Sequence, residues 1–298
     1  MTENYYQKND QNLIDYQLYQ FQDLELRGPK SNYENNISYL GAAQTFGRYC
    51  LNPFPRILGD KLKIGTLNFG AGGIGPSYFI EQPLIIDSAN KSKLVVVQFV
   101  SGRSVSNSVY ESLGGAVVVR RIDNQKMRSE NAIKDLIDGK DKRGLEKNFL
   151  KDLIAETRQN YVTEMIELLN AIKVPKVLFW FSVRTPQYQE SYGKNLIHKL
   201  SEFVEKKSKN RIGILRSRSP LNSLFGEFPQ LVNQEMIEQI KPHSDFYVEC
   251  VTKVGLPQKL IDFNGNKKGV NRYYPSPEMH IKAAEMLYPV CQEILDTN

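Results

Sequence analysis

Ile37-Ser38-Tyr39-Leu40-Gly41-Ala42-Ala43-Gln44-Thr45-Phe46-Gly47 is a short apolar run, broken by glycine and followed by small residues. It reads as a buried strand that turns tightly at Gly41 and opens a helix, the junction at which α/β enzymes display a nucleophile. Four further stretches have the same character: Leu62 to Phe69, Leu94 to Val100, Lys176 to Val183 and Phe246 to Val251. All are short, continuous and rich in β-branched or aromatic residues, as strands buried on both faces are. Helical stripes lie between them, from Phe149 to Ile172, over 197–204, and from Ile281 to Ile294 at spacings of three and four. Strands alternating with helices predict an α/β fold: a three-layer α/β/α sandwich around a five-stranded parallel sheet with the flavodoxin-like order 2-1-3-4-5.

The chain has 298 residues, 41% of them hydrophobic, which suits one large core. A single domain is expected over 36–298, with a long insertion at about 101–147 of the kind that serves as a lid or binding loop. Residues 1–35, rich in Tyr, Gln and Asn, form an extension that wraps the sheet or is partly disordered at its start. The net charge of +6 would suit an anionic partner. The basic residues are dispersed, however, and the runs at 140–143 and 206–209 read as solvated loops, so nucleic acid is an unlikely partner. Cys50, Cys250 and Cys291 show neither CxxC nor metal-ligand spacing, which argues against a disulfide framework and for a reducing compartment. Met1 to Asp10 is polar, with no signal-peptide core, and no run approaches the roughly 18 residues of a membrane span. A cytoplasmic protein without metal or cofactor is therefore expected.

In an open parallel sheet, ligands bind at the carboxyl ends of the strands, where the strand order reverses. This sequence places Gln44, Thr45 and Arg48 after the first strand and Asn68-Phe69-Gly70-Ala71-Gly72-Gly73-Ile74-Gly75-Pro76 after the second. Ser101-Gly102-Arg103-Ser104 follows the third, Arg184 the fourth, and Tyr273 to His280 precede the final helix. Arg48, Arg103 and Arg184 would share one rim, where they hold an anionic ligand or pair with carboxylates such as Glu227 or Glu249. Gly70, Gly72 and Gly75 also match a GxGxxG spacing, which leaves a dinucleotide-dependent enzyme as an alternative. The acidic residue that would hold a ribose is missing: the next strand end reads Val97-Gln98-Phe99.

The first stretch resembles the opening motif of the SGNH (GDSL) hydrolases, phenylalanine-glycine-aspartate-serine-leucine-threonine-any-glycine. Leu40, Gly41, Thr45 and Gly47 take its positions, and Ala43 falls where the serine stands. A methyl group cannot attack a carbonyl. The glycine turn resembles the second motif, which implies an oxyanion-binding N–H at Gly73. His280 occupies the place of the catalytic histidine, with Pro277 where its orienting aspartate would be and Glu278 beside it; His198 and His243 have no comparable company. Ser101-Gly102-Arg103 replaces the third motif, glycine-any-asparagine-aspartate. The chain as a whole looks closer to an uncharacterised bacterial family of SGNH-like proteins that carries an arginine-glycine-proline near its start. The resemblance links that family with surface-polysaccharide genes.

Two functional readings stand. The first is an enzyme or former enzyme that binds or transfers an acyl-bearing or anionic group on a glycan substrate. His280 would be the base, Gly73, Gln44 and Thr45 would hold the oxyanion, and Arg48, Arg103, Arg184, Ser101 and Ser104 would bind an anionic donor. Ser101, Ser104 and Cys50 are reserve nucleophiles. The second is a non-catalytic glycan or nucleotide-donor binding module, with Tyr188, Tyr192, Tyr273 and Tyr274 stacking on sugar.

Overall fold

A computed structural model describes residues 5–31, 34–138, 147–189 and 225–297. The helical stripe over 197–204, the basic runs at 140–143 and 206–209, Tyr192 and His198 lie outside them. The chain opens with helix α1 (Tyr5–Asp10) and a hairpin of β1 (Tyr19–Phe21) and β2 (Leu24–Leu26). Strand β3 (Asn36–Leu40) runs into the one-turn helix α2 (Ala43–Phe46), and α3 (Phe54–Leu62) leads to β4 (Gly65–Asn68). Helices α4 (Ser77–Ile80) and α5 (Pro83–Asn90) precede β5 (Leu94–Gln98). An antiparallel meander follows, β6 (Tyr110–Ser112), β7 (Val117–Arg120) and β8 (Gln125–Arg128), and then helix α6 (Ser129–Asp138). Helix α7 (Lys147–Ala171), β9 (Lys176–Ser182), α8 (Gln234–Ile240) and β10 (Phe246–Val251) continue the α/β alternation. The hairpin β11 (Gln258–Ile261) and β12 (Lys267–Asn271) and helix α9 (Pro277–Thr297) come last.

The central sheet has the order β4-β3-β5-β9-β10 with every neighbouring pair parallel, which is the predicted 2-1-3-4-5 winding. Side chains alternate across it. Ile37, Tyr39, Leu94, Val96, Phe179 and Phe181 pack with α3 and α9 on one face, while Leu40, Val95, Val97, Leu178 and Trp180 pack with α5, α7 and α8 on the other. Both faces are covered, so both parities must be apolar, and this is why the strand sequences read as continuous runs. The second strand starts three residues later than its apolar run: Leu62 ends α3, and Lys63 turns the chain at φ 54. Ile64 is apolar because it is buried in the α3 core, outside the strand. No helix among the described residues is long and apolar enough to cross a membrane.

Candidate functional site

A cleft of about 690 Å³ opens beyond the carboxyl ends of β3, β4 and β5, at the reversal of strand order. Its inner wall is Ala42 to Gln44, Asn68 to Ile74, Ser101 and Arg103. Tyr5 and Tyr6 of α1, Ala116, Val117 and Arg128 of the meander, and Tyr273 and Tyr274 before α9 enclose it. The N-terminal segment and the excursion after β5 therefore both contribute to its walls.

The elbow is fixed by two buried amides. At Gly41 a Cβ would lie 2.1 Å from Thr45 Oγ1 and 2.6 Å from Gln98 Oε1, so glycine alone lets β3 turn there. Gln98 Oε1 accepts from the Ala42 N–H at 3.1 Å and from the Thr45 hydroxyl at 2.6 Å. Asn68 Nδ2 donates to the Thr45 carbonyl at 2.9 Å, and its Oδ1 accepts from the Gly70 N–H at 2.9 Å. Ala43 is thereby held on the cleft wall with no functional atom. The Thr45 hydroxyl is committed to Gln98 and lies away from the cleft lining, whereas Gln44 lines the cleft.

At the glycine turn, Gly73 adopts φ 77. The Cα faces of Gly72 and Gly73 are covered: a Cβ would lie 1.8 Å from the Tyr6 hydroxyl at the first and 2.6 Å from Ala116 Cβ at the second. The helix that follows, α4, has only four residues and no side-chain cap. A covered turn with one helical turn behind it lends little to the dinucleotide alternative. The N–H groups of Gly72 and Gly73 have no partner among the described residues.

Arg103 sits in a turn over Gly102–Ser104, half-buried in the cleft wall. Ser101 Oγ accepts from its backbone N–H and from its Nε, both at 3.2 Å. Its two terminal amino groups have no partner, carboxylate or otherwise, among the described residues. Ser104 is buried and donates to the Gly73 carbonyl at 2.6 Å, which ties the Arg103 turn to the glycine turn.

The other two arginines do not join Arg103 as free cations. Arg48 lines the cleft but is already ion-paired: its Nε and Nη2 donate to Asp10 at 2.8 and 2.9 Å, and its Nη1 donates to the Tyr274 hydroxyl at 3.0 Å. Arg184 is not part of the lining. It donates to the carbonyls of Thr185, Glu227, Pro229 and Val232 and lies over the rings of Trp180 and Tyr188, 5.0 and 4.9 Å from their centroids. Burial lowers its pKa to about 10. The single rim expected from sequence fails because the chain after β9 folds back around Arg184. Tyr188 goes with it, while Tyr273 and Tyr274 line the cleft.

His280 is also away from the cleft lining. It is fully buried in the first turn of α9, its ring stacked 6.0 Å from Phe54 and edge-on to Phe181 at 5.5 Å. Its Nδ1 accepts from the Phe54 N–H at 3.2 Å, and Nε2 has no partner among the described residues. Desolvation, with the charge of Arg27 adding to it, lowers its pKa to about 3. Cys50 is buried, with its thiol on the Asn52 carbonyl and its pKa pushed up to about 12 by desolvation. Neither Ser101 nor Ser104 is bonded to the histidine.

Sequence reasoning missed Arg27 as a structural cation. It is buried without a carboxylate partner among the described residues and donates to the carbonyls of Tyr16, Gly28, Cys50 and Leu51 beside the rings of Tyr16 and Phe46. It thus clamps the N-terminal segment to the loop after α2. The only signal was the arginine-glycine-proline in an otherwise polar segment. Among the described residues no group of three or more His, Cys, Asp or Glu is placed to hold a metal ion.

The sequence model of a family described as a domain of unknown function (DUF6473) matches residues 3–123. No curated protein matches the chain. Among solved structures, the chain is similar to a catalytic mutant of Axe2, an acetylxylan esterase from Geobacillus stearothermophilus, at 13% identity and a TM-score of 0.35 over 89% of this chain and 96% of that one. A family two carbohydrate esterase from Clostridium thermocellum, in complex with cellohexaose, is 13% identical with a TM-score of 0.33 over 92% and 68% of the two chains. A G-D-S-L family protein from Desulfitobacterium hafniense is 14% identical with a TM-score of 0.31 over 86% and 99%. The fold class itself rests on this chain's own parallel strand order.

Proposed function

We propose that this protein recognises a carbohydrate ligand in the cleft without forming a covalent intermediate, on a scaffold that resembles the SGNH hydrolases. One observation carries the reading: Ala43 occupies the elbow on the cleft wall while the His280 ring is sealed between Phe54 and Phe181. Covalent acyl transfer needs a nucleophile and a base within hydrogen-bond reach of each other. Ala43 offers no nucleophile, and a fully buried imidazole with a pKa of about 3 is a poor base near neutral pH. Tyr5, Tyr6, Tyr273 and Tyr274 on the cleft wall support sugar stacking. The setting, surface-glycan synthesis, is the one that the sequence resemblance implies.

The test combines two measurements on the purified protein. Hydrolysis of a chromogenic acetate is expected at the buffer rate, with no labelling by a fluorophosphonate, while saturation-transfer NMR detects saccharide binding. Robust hydrolysis that disappears in His280→Ala would overturn the reading.

A further inference from the structure

We infer that the ligand carries a permanent oxyanion beside its sugar hydroxyls, held by the Arg103 guanidinium together with the N–H groups of Gly72 and Gly73. This rests on the saccharide reading above and selects one chemical class within it, an acidic sugar such as a uronate or a sugar phosphate. Three features converge. Arg103 is half-buried in the cleft wall, yet neither amino group is paired among the described residues, and a partly desolvated guanidinium left that way gives up charge-assisted bonds that an oxyanion would restore. Ser101 Oγ holds its backbone N–H and its Nε at once, so the fork is oriented rather than swinging in solvent, which lowers the entropy lost on binding.

The third feature is the tie from Ser104 to the Gly73 carbonyl, reinforced at Gly75, where a Cβ would lie 2.3 Å from the Ser104 carbonyl oxygen. The Arg103 turn and the glycine turn are therefore one packed unit. It puts Gly72 and Gly73, whose N–H groups have no partner among the described residues, in the same cleft lining as Arg103. The charge balance of the lining agrees. Arg48, Arg103 and Arg128 are its cations, Glu25 is its one carboxylate among the described residues, and Asp10 neutralises Arg48 from behind. Arg48 and Arg128 already have partners, so the anion falls to Arg103.

The experiment titrates wild-type protein and Arg103→Gln with glucose, glucuronate, glucose 6-phosphate and sodium phosphate, recording affinities and amide NMR spectra. Wild type is expected to bind at least one acidic sugar ten- to hundredfold more tightly than glucose, with the Gly72 and Gly73 resonances shifting. Arg103→Gln should lose that margin and keep its melting temperature. Equal affinity for glucose and both acidic sugars, or an unchanged margin in Arg103→Gln, overturns the inference and leaves the saccharide reading intact. Binding of sodium phosphate as tight as glucose 6-phosphate overturns the sugar component, and no binding of any sugar overturns both.

Discussion

His280 loses its affinity for a proton because burial desolvates it: two phenylalanine rings enclose it, and the charge of Arg27 opposes protonation. Its folded pKa of about 3 lies below the ordinary histidine value near 6.5. The unfolded chain therefore takes up a proton between those limits and the folded chain does not. The associated stability is fully present above about pH 6.5 and is lost as pH falls towards 3, by up to ~1.4 kcal/mol per unit. Urea unfolding of wild type at pH 7 and pH 5 is expected to differ by up to about 2 kcal/mol more than in His280→Gln, which cannot take the proton. Equal pH dependence in the two proteins would contradict the sealed environment. The histidine's place before the last helix was legible in the sequence, but its surroundings were not. The backbone N–H that occupies Nδ1 belongs to Phe54, 226 residues away, and no local pattern reports that contact.

At the scale of elements, the strands were legible for a physical reason: burial on both faces forces every position to be apolar, so length and composition alone identify them. The strands of the meander are short and partly polar, β6 and β7 burying a single parity and β8 no residue, so the sequence showed only a long insertion there. Helix α1 is a further case. Its sequence is polar, yet Asp10, with its side chain 3% exposed, accepts from Arg48 twice and from the Tyr16 hydroxyl at 2.9 Å. This links the N-terminal segment to the residues that follow α2. Removing one partner of a buried ion pair leaves an uncompensated charge, at a cost of about 3–5 kcal/mol. Asp10→Ala is therefore expected to lower the global melting temperature and to speed proteolytic cleavage within residues 5–31. Unchanged cleavage kinetics would mean that the segment is held by its other contacts alone.

At the scale of the whole molecule, the proposed function implies that changing one residue of the first motif does not create a hydrolase. The resemblance in the first motif invites Ala43→Ser, which places a hydroxyl on the cleft wall in a scaffold of the right winding. Such a hydroxyl ionises only with help from a base, and the base must both reach it and bind a proton near neutral pH. His280 meets neither condition: it lies outside the cleft lining, its Nδ1 is occupied by the Phe54 N–H, and its pKa is about 3. Pro277, at the start of α9, stands where the sequence resemblance implies an orienting carboxylate. Arg27, clamped by four backbone carbonyls beside the elbow, adds a positive charge that opposes an imidazolium there. These features are spread over the N-terminal segment, α3 and α9, so on the proposed reading the inert elbow is a property of the packed molecule rather than of position 43. Ala43→Ser is expected to hydrolyse a chromogenic acetate no faster than about twice the wild-type background, within the error of a buffer-corrected rate, and to resist fluorophosphonate labelling. A rate gain of about a hundredfold or more, the scale of general-base catalysis, would show that His280 reaches the elbow after all.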